Sequence, residues 1–272
     1  MPIQFGVTCF FNDYKEFAIV PEVARQFPLL KYLEFRGEFP FLVPDDTPDS
    51  QIQFFIAVMQ KTSLRSTLHT IYHDINLATL NPWLMEANIA CYKRFIDIAE
   101  RLGSELIVVH GGMLPADYVN NPLKNKFQQK ASRRLCKTLS VLADYGQRRG
   151  VKIALENSPP EAGQSIVYDS RSHLAILEKV NHPNLGALLD FAHAFLRRLD
   201  LIDYLEKIQP YLIEIHAHNN MGKNDDHLAL PDGKIDYLPI FKHPAVRDVP
   251  FIMELKSYED VIKTLTWLGN IL

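Results

Sequence analysis

The sequence predicts the α/β class and, within it, a single closed (β/α)8 TIM barrel over residues 1–272. Three observations carry this expectation. Short apolar runs alternate along the chain with stretches whose apolar residues recur at helical spacing. Eight such runs occur, each nearly continuous in apolar residues, as a parallel strand buried on both faces requires. Seven of them end in a polar or ionisable residue, and a barrel of parallel strands brings all its C-terminal strand ends to one face. The length agrees, since such barrels commonly take about 250 residues.

Taken in order, Ile3 to Cys9 reads as the first strand, followed by an apolar-periodic stretch from Tyr14 to Leu30 and a second strand at Tyr32 to Phe35. Asp49 to Gln60 reads as helix and Ser66 to His69 as the third strand. From Pro82 to Leu102 the residues Ile89, Phe95, Ile96, Ala99 and Leu102 lie on one helical face, and Gly103 stands where a left-handed helix stop belongs. The fourth strand follows, ending at His110. Helix Lys124 to Arg149, closed by Gly150, leads into strand Val151 to Glu156. Ser170 to Val180 leads into Leu185 to Asp190, and Leu199 to Ile208 leads into Leu212 to His216; the eighth strand is Pro250 to Glu254. No GxGxxG follows the first strand, which weighs against an open doubly wound sheet. The stretch Gly111 to Leu123, with two prolines, reads as a long loop able to act as a lid.

Composition narrows the function classes. A chain 47% hydrophobic and 22% charged buries a large core, and its net charge of −3 supplies no global basic field for nucleic acid or anionic membrane. Cys9, Cys91 and Cys136 are an odd number without CxxC pairing, which argues against a disulfide framework and for buried structural thiols in a reducing compartment. The opening MPIQFGVTCFFNDYKEF has neither a basic n-region nor an apolar h-region, and no window approaches about 18 uninterrupted apolar residues. The expectation is a cytoplasmic protein with no membrane partner.

The chemistry sits at the strand ends. STLH ends at His69, IVVH at His110, IALE at Glu156, ALLD at Asp190, IEIH at His216 and FIME at Glu254, with Glu34 and Arg36 in YLEFR as a weaker seventh. A carboxylate after a buried strand is costly unless metal, protons or hydrogen bonds compensate it. Any one of Glu156, Asp190 and Glu254 alone also fits an ion-pair acceptor. Together with His216 they form a mixed oxygen and nitrogen set suited to zinc, manganese, cobalt or ferrous iron. In IHAHNNMGKNDDHLALPDGKID, Asp225 and His227 form a DxH pair that points one way if the segment is extended, with Asp226 facing away; a solvated acidic loop is the alternative.

At this point the chain resembles the xylose-isomerase-like barrel superfamily, which includes sugar and sugar-phosphate isomerases, epimerases, inosose dehydratases and endonuclease IV. SELIVVHGG, VKIALENSP, LGALLDFAHAF, IHAHNN with DDHLALPDGKID, and IMEL look like that superfamily's successive strand-end motifs and span nearly the whole chain. The resemblance implies a metal site of Glu156, Asp190, His216 and Glu254. It further implies that His69, His110, His193, Asp225 and His227 match the additional ligands by which endonuclease IV holds three zinc ions, with Glu156 bridging two. The loops depart from endonuclease IV: ENSPPEAG stands for ENTAG, DFAHAFLRRLD for DTCHAFAAGYD, and NNMGK and DDH for DSK and DRH.

The resemblance therefore implies a sugar or sugar-phosphate isomerase or epimerase using one to three divalent ions (Zn, Mn or Co) and moving a proton through an enediolate. Glu156 and Glu254 would act as acid and base, and His193 would orient or protonate an oxygen. The alternative is an endonuclease IV-like trinuclear zinc phosphodiesterase (an AP endonuclease) acting on nucleic acid. A noncatalytic sugar-binding barrel is disfavoured by so many ionisable groups at one mouth. Among the remaining residues, His173, His182 and His243 read as surface positions, and His73 and Asp74 as candidates for the mouth. Tyr72 matches an endonuclease position that enters DNA but equally serves a sugar. His218 is expected to share the orientation of His216, as a partner of a ligand or a substrate contact, and Trp83 and Phe195 are read as core or as an apolar wall.

Overall fold

The computed structural model of the chain describes residues 2–9, 13–161 and 163–272, apart from the side chain of Cys9. Eight parallel strands close a barrel: β1 (Gln4–Cys9), β2 (Leu30–Gly37), β3 (Arg65–Thr70), β4 (Leu106–His110), β5 (Lys152–Glu156), β6 (Leu185–Asp190), β7 (Leu212–Ala217) and β8 (Pro250–Leu255). Each strand pairs with its neighbours in sequence, and β1 closes the ring by pairing with β8 in the register Thr8↔Glu254. The helices between them turn apolar faces to the strands, which is why β6 and β8 are buried along their whole length. No helix among the described residues is long and apolar enough to cross a membrane.

Local signals set several boundaries. Helix Pro82–Leu102 starts where the Asn81 side chain accepts from Trp83 N–H and stops at Gly103 in the left-handed conformation (φ 71°). Helix Ser170–Val180 opens on a capping box between Asp169 and Ser172. The stretch from Tyr14 is broken instead: a 3-10 turn Tyr14–Ile19 precedes helix Val20–Gln26, because Pro21 fits only the first turn of a helix. Helix Tyr258–Ile271, unanticipated from sequence, closes the chain with Val261, Leu265 and Leu268 buried on one face.

The expected lid is also different. Within 111–123, Met113–Leu114 pairs antiparallel with Gln164–Ser165, and Asn76 donates to the Met113 carbonyl at 2.8 Å. The backbone groups that would leave a lid free to move are engaged in this small sheet, so the segment is a built arm of the mouth. Of the thiols, Cys136 is buried and Cys91 only half-buried, both unbridged, while the expectation for Cys9 lies outside the described side chains.

Candidate metal centre at the barrel mouth

Strand register places the candidate groups. His110 lies level with Glu156, Asp190 with His216, and Arg36 with His69. Side chains alternate along a strand, so Val108, Ala154 and Leu188, two residues before His110, Glu156 and Asp190, form a small apolar plug beneath them. All nine residues expected as ligands converge on one region, where a cleft of about 260 Å³ opens.

At its floor, Glu156, Asp190 and His216 are wholly buried and Glu254 is nearly so. One ligand atom each from Glu156, Asp190, His216 and Glu254 lies within 4.8 Å of the others. His216 Nδ1 stands 3.6 Å from Glu156 Oε1 and 3.4 Å from Glu254 Oε2. On the other side His110 Nε2 is 2.8 Å and His69 Nε2 3.6 Å from Glu156 Oε2. These approaches are close without hydrogen-bond geometry, and both oxygens of Glu156, Oδ2 of Asp190 and Nδ1 of His216 remain buried with no hydrogen-bond partner. Leaving one such group unsatisfied costs about 1–3 kcal/mol. Several together, with mixed oxygen and nitrogen donors, fit a divalent cation.

The charges of these groups bias one another's protonation. Burial pushes the Glu156 carboxyl up, but His110, His216 and His69 overcome it and hold it well below the ordinary carboxylate range. Glu254 is lowered against burial by His216 and His69, and Asp225 by His193 and His227. In return, and again against burial, His216 and His193 are held well above the ordinary histidine value, and His69 and His227 above it.

The outer group is shaped by a loop and a short helix. Asp190 caps helix Phe191–Leu196 by accepting from His193 N–H at 2.7 Å through Oδ1, which leaves Oδ2 facing the site. Asn157 clamps this corner: its Oδ1 accepts from Asp190 N–H at 2.8 Å and its carbonyl lies 2.8 Å from His193 Nδ1. With Nδ1–H committed to that carbonyl, Nε2 of His193 turns to Asp225 Oδ2 at 3.2 Å. His227 Nδ1 faces the Glu254 carbonyl at 3.1 Å and its Nε2 faces Asp225 at 3.4 Å. Asp225 and His227 do reach the same place and Asp226 turns away to accept from Met221 N–H, but the segment is not extended: His227 is left-handed (φ 52°). Asn219 holds this loop, donating to the Leu230 and Ile235 carbonyls.

Beneath His216, Glu34 accepts from Thr8 and Thr67 hydroxyls at 2.6 and 3.1 Å. Arg36 lines the cleft with its guanidinium paired to Glu38 and stacked over Phe41. Tyr72 lies over His110 with ring centroids 5.2 Å apart, and His73 joins the lining while Asp74 does not. Sequence reading missed Glu38 and Glu161 at the rim, the clamp Asn157, and Glu214, whose carboxyl is pushed well above the usual range by burial and by Glu34. The period-two alternation of β2 and β7, which sets Glu34 under Arg36 and Glu214 under His216, was the available signal.

Two expectations fail, those for His173 and Trp83. His173 is wholly buried, sharing hydrogen bonds with the Leu155 carbonyl (2.9 Å) and the Tyr204 hydroxyl (3.1 Å); burial lowers its pKa to about 4. His182 and His243 do lie at the surface, partly exposed, His182 facing the exposed Asp144 at 3.3 Å. Trp83 is 80% exposed at the start of its helix, neither core nor wall, whereas Phe195 packs partly buried against the core.

Comparison with known proteins follows the same lines. An uncharacterised protein of Methanocaldococcus jannaschii is 27% identical over 222 residues, covering 78% of this chain and 72% of that protein. A probable endonuclease 4 of Thermoplasma acidophilum is 28% identical over 222 residues, 76% of this chain and 73% of its own. The crystal structure of a D-tagatose 3-epimerase-like protein superposes with a TM-score of 0.84 at 24% identity, over 98% of this chain and 96% of that one. The family model described as xylose isomerase-like TIM barrel matches residues 30–269, and with its closed barrel and mouth of histidines and carboxylates the chain belongs to that family.

Proposed function

We propose that the protein is a divalent-metal-dependent isomerase or epimerase of a sugar or sugar phosphate. The observation that carries this reading is the pair of carboxylates, Glu156 and Glu254, that flank His216 in a small cleft with their donor atoms turned inward. Glu156, Asp190, His216 and Glu254 would hold the ion, with His69, His110, His193, Asp225 and His227 available for one or two more of zinc, manganese or cobalt. When bound, the ion supplies Lewis-acid stabilisation of negative charge developing on substrate oxygens.

The chain's own groups do the rest. Glu254, on β8, takes the proton α to the substrate carbonyl, and Glu156, on β5, delivers to the opposite face a proton that it takes up from water. His193, fixed by Asn157, orients or protonates a substrate oxygen. A cleft of about 260 Å³ lies just below the usual range for small-ligand sites, roughly 300–1,000 Å³, and suits a compact polyol.

A second reading, an endonuclease IV-like trinuclear zinc phosphodiesterase, is favoured by the complete ligand set and by the probable endonuclease 4 relative. Against it, the rim carries Glu38 and Glu161, and Arg36 is the one lysine or arginine among the described cleft-lining residues, whereas phosphate backbones are gripped by several cations. Incubating metal-loaded protein with ketoses and their phosphates in heavy water, beside an abasic duplex, separates the two. Deuterium entering the carbon α to the carbonyl without strand incision supports the isomerase; incision without exchange replaces it with the phosphodiesterase.

A further inference from the structure

His218 is a wholly buried histidine at the mouth that the ligand set above leaves unused. Neither of its ring nitrogens has a hydrogen-bond partner. Its Nε2 stands 3.5 Å from Asp190 Oδ2 and 3.4 Å from Asp225 Oδ1, and both of those oxygens are likewise buried without a partner. Three orphaned donor atoms from three separate segments thus face one another.

The ring is held in place. It stacks on His227 with centroids 3.8 Å apart and an interplanar angle of 16°, and the Tyr237 hydroxyl donates to the His218 carbonyl at 2.6 Å. A packed, buried imidazole with no hydrogen bond of its own is an unfavourable arrangement unless something absent from the protein atoms completes it. One imidazole nitrogen facing two carboxylate oxygens is a donor set for a transition-metal dication, and His193 joins Asp190 and His218 in a group of three whose ligand atoms lie within 4.8 Å.

We propose that His218 Nε2 is a metal ligand which, with Asp190 Oδ2 and Asp225 Oδ1, holds a cation between the deep set and the outer set. In this arrangement IHAH works as an alternating pair: His216 near the end of β7 serves the floor, and His218, two residues on, serves the position above it. Asp190 and Asp225 then join the two sets into one continuous centre. The inference rests on the reading of the mouth as a metal centre.

The test is cobalt binding to the metal-stripped full chain, followed by calorimetry and by the visible absorption of bound Co2+. His218→Phe keeps a ring against His227 but removes both nitrogens. The expected result is loss of one equivalent, or a 10–100-fold weakening of one class of sites, with the remaining class unchanged. The same stoichiometry and affinities in His218→Phe overturn the proposal, whereas no cobalt binding by the wild-type chain overturns the underlying metal reading instead. If the variant does not fold, 15N-histidine spectra of the wild type decide: the Nε2 resonance of His218 shifts on adding Zn2+, and an Nε2 that stays protonated at saturation sinks the idea.

Discussion

His216 Nε2 lies 3.3 Å from Glu34 Oε2 at the floor of the mouth. The Glu34 carboxylate also accepts from two threonine hydroxyls and has no hydrogen to give when it serves as acceptor, so the imidazole gives the hydrogen and presents Nδ1 to Glu156 and Glu254. Glu34→Gln should therefore weaken binding of the deep ion by about 10- to 100-fold while the barrel stays folded. Competition with a chelator of known affinity measures this, and unchanged affinity would remove Glu34 from the centre.

Glu254→Gln keeps the shape and an oxygen donor but removes the base. Substrate binding should persist while solvent exchange α to the carbonyl falls by about two to four orders of magnitude. A fall confined to KM would reassign Glu254 to binding.

Asp190→Ala and His216→Ala should both abolish tight metal binding, yet differ in stability. Asp190 also caps helix Phe191–Leu196, so its loss costs about 1 kcal/mol beyond the metal effect. Metal-free melting curves of the two variants beside the wild type check this. A helix cap that contributes nothing would leave the metal-free Asp190→Ala protein as stable as the wild type.

Metal binding should depend steeply on pH. His69, His193, His216 and His227 hold protons more tightly than ordinary histidines, and an entering ion must displace them. Affinity should rise with pH from neutrality upward, with more than one proton released as the centre fills. Titrations in two buffers of different ionisation enthalpy count those protons; a count of zero contradicts the protonation pattern.

His173 gives a separate acid sensitivity. Its folded pKa of about 4 lies below the unfolded value of about 6.5, so below about 6.5 the unfolded chain takes up a proton that the folded chain refuses. Its contribution is fully present above about 6.5 and is lost as pH falls through about 4, about 3 kcal/mol in all. His173→Gln should be less stable at pH 7 but lose less on acidification, as read by urea midpoints against pH. Parallel pH curves for the two proteins would count against a neutral buried His173.

Much of this architecture is legible in the sequence because it is local. Helices Pro82–Leu102 and Ser170–Val180 are delimited to the residue because Asn81 and Gly103, Asp169 and Asn181 punctuate them. Strand-end histidines and carboxylates are equally visible, since each follows an apolar run. What escapes is non-local. His173 reads as a surface residue because its partners, Leu155 and Tyr204, are 18 and 31 residues away, and Glu34 reads only as a weaker strand-end candidate because its partner His216 is 182 residues away. Asn157 gives no signal at all, since the two groups it positions come from the following strand and helix.

The double engagement of Asp190 bears on how this barrel can diversify. One oxygen starts the helix that carries His193 and the other faces the cavity, so strand end, helix start and both side chains arrive as a single stiff cassette clipped to Asn157. The rim residues Glu38 and Glu161 sit outside this cassette, in connections after β2 and β5. Substitutions there can change which molecule is admitted without altering the spacing of the groups beneath it, so new specificities should be sought at the rim and inherited chemistry at the cassette.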